Sequence, residues 1–285
     1  MKTPSKGTAT TVAAALATLY SASAQATAPC GDFGECKVLV EINSSDGDIG
    51  FHFLADGNEL VAAALLSPSL ERIFNYRVRE ELRDQRLTEA FAESAEPLCF
   101  DPATDDDPDN DGEEFVTLTD FLARWDAGTY YFFGLGENFV PNYGQTELTF
   151  NLPAAPVDLE WLEPVEAGGT EYAIAWAPGT DLGECSDGMD LLPVPPAEVP
   201  VQAWEVVLEP DVEGPVSAMT YVVRMPGDSA KLQVEVSASY LAALPPDTPA
   251  KIEIGAIGID DNATFTEEGD ICLNETAAGC AFDDE

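Results

Sequence analysis

Histidine and basic residues are what this sequence has least of. There is one histidine, His52, and 12 lysines and arginines stand against 53 aspartates and glutamates, for a formal net charge of -41. Between Trp125 and Val223 there is no lysine or arginine at all, so no basic groove for phosphates can be built over that span. Nucleic acid and anionic membranes are therefore poor partners. With a single histidine, any Ser-His or Cys-His arrangement must use His52, which sits in the alternating pattern Ile49-Gly50-Phe51-His52-Phe53-Leu54 and reads as a structural residue. No nucleophile elbow, phosphate loop or dinucleotide fingerprint stands in a strand-to-helix setting. Carboxylates are so abundant that a close pair of them says nothing by itself about glycoside hydrolysis. The chain reads as non-catalytic.

Long apolar runs are also missing. The one candidate, Gly7 to Tyr20, is uncharged, follows Lys2 and Lys6, and precedes the small residues Ala24-Gln25-Ala26. That is the pattern of an export signal over residues 1–26, cleaved after Ala26. It is too short for a membrane span of about 20 residues, and no later segment approaches that length without charges. A secreted or periplasmic protein is expected. All six cysteines, Cys30, Cys36, Cys99, Cys185, Cys272 and Cys280, follow the signal. An even number in an exported chain reads as disulfides, with the pairing left open by spacing alone. The absence of close cysteine pairs and of a second histidine speaks against a zinc-thiolate site.

What is abundant is acid. The stretch Asp105 to Phe115 reads DDDPDNDGEEF, in which Asp107, Asp109 and Asp111 have calcium-loop spacing, Gly112 supplies a turn and Glu113 a carbonyl. The twelfth position is Leu118 instead of a bidentate glutamate, and Pro102 and Pro108 oppose an incoming helix. A partial calcium loop and a hydrated acidic loop both remain open readings, and calcium is the one cofactor suggested. Arg72, Arg77, Arg79, Arg83 and Arg86 form the one basic cluster. Interleaved with Glu71, Glu80, Glu81, Asp84 and Glu89, they read as a salt-bridged face. Three Asn-x-Ser/Thr sequons, at Asn43, Asn262 and Asn274, read as chance in a chain with a bacterial-looking signal.

Pro and Gly punctuate short apolar runs, which predicts an all-β chain with one or two short helices and two β-sandwich-like domains. Strands are expected at Val38 to Ile42, Ile49 to Leu54, Leu60 to Leu66, Ile73 to Val78, Thr129 to Leu135 and Thr146 to Leu152, with a tight turn at Asp56-Gly57. Helices are expected at Glu80 to Ser94 and, capped by Thr119, at Asp120 to Trp125. Tyr130 to Phe133, with Trp125, Phe139 and Tyr143 nearby, read either as core or as an exposed aromatic platform.

After the proline-marked linker Leu152 to Pro156, the chain resembles a fibronectin type III domain. AIAWAP, with Trp176, looks like that family's second strand, and VQAWEVVLE, with Trp204, looks like its third. The stretch from Leu241 through Thr248 to Glu268 is similar to its corner, sixth strand and final hairpin. The resemblance implies a seven-stranded sandwich. Ala250 stands where the family has its corner tyrosine, so the corner must be held differently. The front-half segments VEINSSDGDIGFHF, LTEAFAESAEP and FLARWDAGTYYFFG are similar to a group of exported bacterial proteins with such a C-terminal end, a likeness that implies export and no mechanism. The expected organisation is a β-rich domain over 27–152 carrying an acidic loop at 101–114, a fibronectin type III-like domain over 153–275 and an acidic tail over 276–285. Sequence closeness suggests Cys30–Cys36 and Cys272–Cys280. The sandwich topology then implies Cys99–Cys185, because Cys272 ends the last strand at the pole away from Cys185.

The function read from this is a non-catalytic exported binding or structural module for an unknown protein or glycan. A carbohydrate-recognising accessory protein is the alternative, and a carboxylate-dependent hydrolase comes third. Exposed, coplanar aromatics would favour the second, and a cleft with two carboxylates, one raised in pKa, the third.

Overall fold

A computed structural model describes residues 30–102, 115–164, 169 and 171–282. Apolar and polar residues alternate along β1 (Glu35–Asn43), so Cys36, Val38, Val40 and Ile42 are buried on one face. β2 (Asp48–Leu60) pairs with it antiparallel, from Asn43 opposite Asp48 to Glu35 opposite Asp56. The expected tight turn at Asp56-Gly57 is instead a bulge within β2. The chain turns only at Val61, and β3 (Ala62–Leu66) enters another sheet with β4 (Arg72–Arg77), β6 (Gly128–Leu135) and β7 (Pro141–Leu148), in the order β4-β3-β6-β7.

The expected helix from Glu80 to Ser94 breaks after one and a half turns. α1 (Glu80–Gln85) ends at Arg86, whose φ of 76° leaves the helical region, and Leu87–Glu93 is β5. Leu-Thr-Glu-Ala-Phe-Ala-Glu alternates as well as it turns. Pairing Ala92 opposite Phe53 and Ala90 opposite Ala55 on β2 overrides the weak helix propensity. α2 (Leu118–Arg124) is capped by Thr117, not Thr119: the Asp120 amide donates to the Thr117 hydroxyl at 3.2 Å. β7 runs from Pro141 to Leu148, starting five residues before the expected Thr146 and ending four before Leu152; Pro141, with no amide to donate, is tolerated as the first strand residue.

The second half forms three strands, β8 (Pro156–Leu162), β9 (Ala173–Pro178) and β12 (Gln233–Glu235), packed on four, β10 (Val201–Pro210), β11 (Tyr221–Pro226), β13 (Thr248–Gly258) and β14 (Ala263–Leu273). This is a fibronectin type III-like sandwich. Trp176 and Trp204 meet edge to face in its core, centroids 5.9 Å apart. The corner that lacks its tyrosine is held by Asn274, whose side-chain amide donates to the carbonyls of Leu241 at 2.7 Å and Leu244 at 3.1 Å, beside the short α3 (Ala238–Leu241).

The two halves are not beads on a string. β1 lies parallel to β14, with Glu41 opposite Ala263 and Asn43 opposite Phe265, giving one seven-stranded sheet ordered β11-β10-β13-β14-β1-β2-β5. Asn262, 1% exposed, staples the seam. Its carbonyl accepts the Val40 amide at 2.8 Å across 222 residues of sequence, and its amide donates to the carbonyls of Thr149 and Asn151. A residue so engaged is closed to glycosylation in the folded chain. The loop between β9 and β10 also folds back on the first half, placing Leu182, Cys185 and Leu192 in the first hydrophobic core. Gly183, at φ 62°, packs against Ser44 too closely for any side chain. The disulfides join Cys30 to Cys36, Cys99 to Cys185 and Cys272 to Cys280, the second tying the two halves.

Candidate functional site

The outer face of the seven-stranded sheet gathers carboxylates at the seam. On β1 the even-numbered residues are buried, which turns Glu41 and Asn43 outward. Glu41 stands opposite Gly50 and Leu39 opposite His52, so Glu41 and His52 share that face on neighbouring strands. His52 is only 4% exposed because the segment after β5 folds over it. Its Nε2 lies 2.9 Å from Glu96 Oε1, and its ring meets the edge of Phe91. Gly50 makes this possible: a Cβ there would stand 2.7 Å from His52 Nε2 and 2.8 Å from Glu96 Oε1. Glu96 is fixed from both sides, since Ser94 and Phe51 exchange hydrogen bonds and the Ile49 amide donates to the Pro97 carbonyl at 3.2 Å.

Beside this trio is a pocket of about 180 Å³ lined by Glu41, Asn43, Asp48, Glu96, Glu253 and Phe265, with no lysine or arginine among them. Burial, reinforced by the charges of Glu96 and Asp46, pushes the Asp48 carboxyl up to about 6. Burial and the charges of Glu267 and Glu209, opposed by Lys251, push Glu253 up to about 7. Burial also raises Glu41, with His52 opposing and Glu96, Glu93 and Glu205 adding to it. Lys251 is engaged by Glu267 at 2.8 Å and Glu209 at 3.6 Å.

A second surface lies on the outer face of the four-stranded sheet. Ala62 and Ala64 of β3 floor a trough of about 340 Å³; Phe133, Leu135 and Tyr143 form one wall, and Arg72, Asn75 and Arg77 the other. Phe133 and Tyr143 face each other across β6 and β7 and are 38% and 54% exposed. Phe139 and Val140, also exposed, extend the apolar patch around the connecting turn. A cleft of about 480 Å³ opens beside Ile49 on the inner side of β2, away from these carboxylates, and Arg124 is the one charged residue of its lining.

The calcium ligands expected from sequence, Asp107, Asp109, Asp111 and Glu113, lie outside the described residues. The Val116 amide does donate to the Leu98 carbonyl at 2.7 Å, which brings the two ends of that stretch together beside the Cys99–Cys185 bond. Of the aromatic strand, Tyr130 and Phe132 are core, and Trp125 stacks on Phe51 with centroids 4.0 Å apart. The exposed pair, Phe133 and Tyr143, is perpendicular at 87°, so these two rings form no coplanar platform. The expected salt-bridged arginine face is corrected too. Among the described residues no carboxylate lies within 4.0 Å of Arg72, Arg77, Arg79, Arg83 or Arg86. Glu41, Glu96, Asp48 and Glu253 carry no signal in the sequence. The Glu41–His52 neighbourhood alone was within reach, had β1 and β2 been paired in register across the Ser44-Ser45-Asp46-Gly47 turn.

No family model and no curated protein matches the chain. Among solved structures it is similar to the FN1–FN3 domains of chicken CNTN1, with a TM-score of 0.31 and 9% identity over 83% of this chain and 64% of that one. It is also similar to the BSP domain of a biofilm associated protein, with a TM-score of 0.22 and 11% identity over 86% of this chain and 30% of that one. The chain thus spans less than two thirds of either, and no family assignment follows.

Proposed function

We propose that the chain is a non-catalytic binding module acting outside the cytoplasm, secreted or periplasmic, and that it holds a protein partner on the trough of the four-stranded sheet. The observation that carries this is the concentration of Phe133, Leu135, Phe139, Val140 and Tyr143 at the surface of one hairpin, beside arginines without carboxylate partners among the described residues. Exposed aromatics next to guanidinium groups with no carboxylate within 4.0 Å among the described residues suit a partner offering apolar and acidic side chains. Two halves joined by a shared sheet and a disulfide make a rigid support for such a face. Export rests on the sequence of residues 1–26, outside the described residues. It is supported by three disulfides, which suit an oxidising compartment. Among the described residues no helix is long and apolar enough to cross a membrane. The domain limits 27–152 and 153–275, with a tail over 276–285, are part of the same reading.

The carbohydrate alternative is weakened by the perpendicular Phe133 and Tyr143, since a sugar ring stacks on a flat platform. The hydrolase alternative finds carboxylates with raised pKa, but in a pocket of about 180 Å³, below the range of about 300–1,000 Å³ usual for ligand sites. The test is a pull-down from the native extracellular or periplasmic fraction with wild type and with Phe133→Ser/Tyr143→Ser. A protein retained by wild type and lost from the double variant is expected. Identical captures by both, or capture of polysaccharide that the variant retains, would remove the trough from the account.

A further inference from the structure

We propose that Glu41, His52 and Glu96 form a site for a first-row divalent cation of the zinc or manganese type, reached from solvent through the pocket lined by Asp48 and Glu253. The inference does not depend on the partner surface, which lies on another sheet. Its first support is the donor set. One ligand atom from each of the three residues lies within 4.8 Å of the other two. Tetrahedral zinc bonds of about 2.0–2.1 Å put ligand atoms about 3.4 Å apart, a separation comparable to those in the trio.

The second support is preorganisation. Glu41 and His52 project from adjacent strands in fixed register. Glu96 sits between two residues hydrogen-bonded to β2, and Gly50 leaves the space in which its carboxylate meets the imidazole. A glutamate needed only as a solvated surface group would require none of this. The histidine side chain is 5% exposed, whereas the Glu96 side chain is 35% exposed, so the trio is buried on one side and open on the other. That leaves a coordination position for water, with Asn43 and Asp48 lining the way out.

The third support is charge. The pocket walls carry Glu41, Asp48, Glu96 and Glu253 without a lysine or arginine among the lining residues, and one imidazole lies beside Glu41 and Glu96. A divalent cation offsets two of those charges where a monovalent side chain offsets one. The imidazole also decides the class of metal. Nitrogen donors suit zinc and its first-row neighbours, whereas calcium takes six to eight oxygens and gains nothing from a histidine.

The full-length mature protein, freed of metal with a chelator, is the sample, and zinc and then manganese are the probes in physiological salt. Because His52 is the only histidine, the imidazole NMR signal reports on this site alone. The expected result is saturable zinc binding at one equivalent that moves the His52 signal, broadening of the same signal by substoichiometric manganese, and no displacement by equimolar calcium. Glu41→Gln and Glu96→Gln should each weaken zinc binding by at least about tenfold, the lower end of what losing even an outer-shell partner costs. Glu147→Gln, on β7 of the other sheet, should leave zinc binding unchanged. Zinc uptake that leaves the His52 signal unmoved, or that persists equally in Glu41→Gln and Glu96→Gln, overturns the proposal in favour of ions condensed on an acidic surface. Displacement by equimolar calcium overturns the assignment of metal class.

Discussion

The two halves are both sandwiches, yet they are completed differently. The second has a core drawn from its own residues: the buried members lie between Ile174 and Leu273, with Leu159, Trp161 and Tyr172 packed against them. The first borrows Leu182, Cys185 and Leu192 from the second half's long loop, and its β1 edge is covered by β14. An uncovered β1 would present unpaired backbone groups along its edge, a liability that β14 removes. The lesson is one of dependence: the second half is built to stand alone, and the first is built onto it.

The largest expected effect comes from separating them. Residues 153–285 alone should show cooperative unfolding by calorimetry, whereas 27–152 alone should not. A cooperative transition in the isolated first half would break the comparison. Next is the covalent tie. Cys99→Ser/Cys185→Ser releases a closed loop with a sequence separation of 86, worth about 4.6 kcal/mol in the chain-entropy model, and denaturant unfolding should assign the loss mainly to the first half. Asn262→Ala comes third. It leaves the buried Val40 amide and the Thr149 and Asn151 carbonyls without their partner and should cost about 2–3 kcal/mol, again by denaturant unfolding.

The smallest effect is electrostatic and sits on the shared face. Glu253 rises from an ordinary 4.5 to about 7 on folding, so between those pH values the native state holds a proton that the unfolded chain has released. Its contribution is therefore fully present below the unfolded value and is lost as pH rises through the folded value. Thermal melts of chelator-treated protein from pH 5 to 8 should show stability falling with pH. Glu253→Gln should flatten that slope by about 1 kcal/mol, discounted for partial exposure.

The second half was legible in the sequence because its information is local. β10 and β11 alternate, Trp176 and Trp204 mark the strands that meet in the core, and proline and glycine mark the turns. The first half was legible in its strands but not in its partners. A parallel pairing between strands more than two hundred residues apart leaves no local trace, and the switch of sheet at Val61 hides behind an Asp-Gly that signals a turn a few residues early. Leu87 to Glu93 has both helical and two-residue spacing, and only the waiting edge of β2 decides between them. The neighbourhood of Glu41, His52 and Glu96 left no trace in the sequence for the same reason. Asp107, Asp109 and Asp111 announce themselves by spacing along the chain, whereas the trio is assembled by register and by a glycine that matters through the side chain it lacks.

Amide hydrogen exchange on the intact protein tests the shared sheet most directly. The Val40 amide is held by the Asn262 side chain at 2.8 Å and the Ser44 amide by the Phe265 carbonyl at 2.7 Å, so both report on the seam and on nothing else. The account predicts that they exchange as slowly as the central amides of β13, through global unfolding. Fast exchange at Val40 and Ser44 while β13 stays protected would mean that the halves part in solution, and would contradict it.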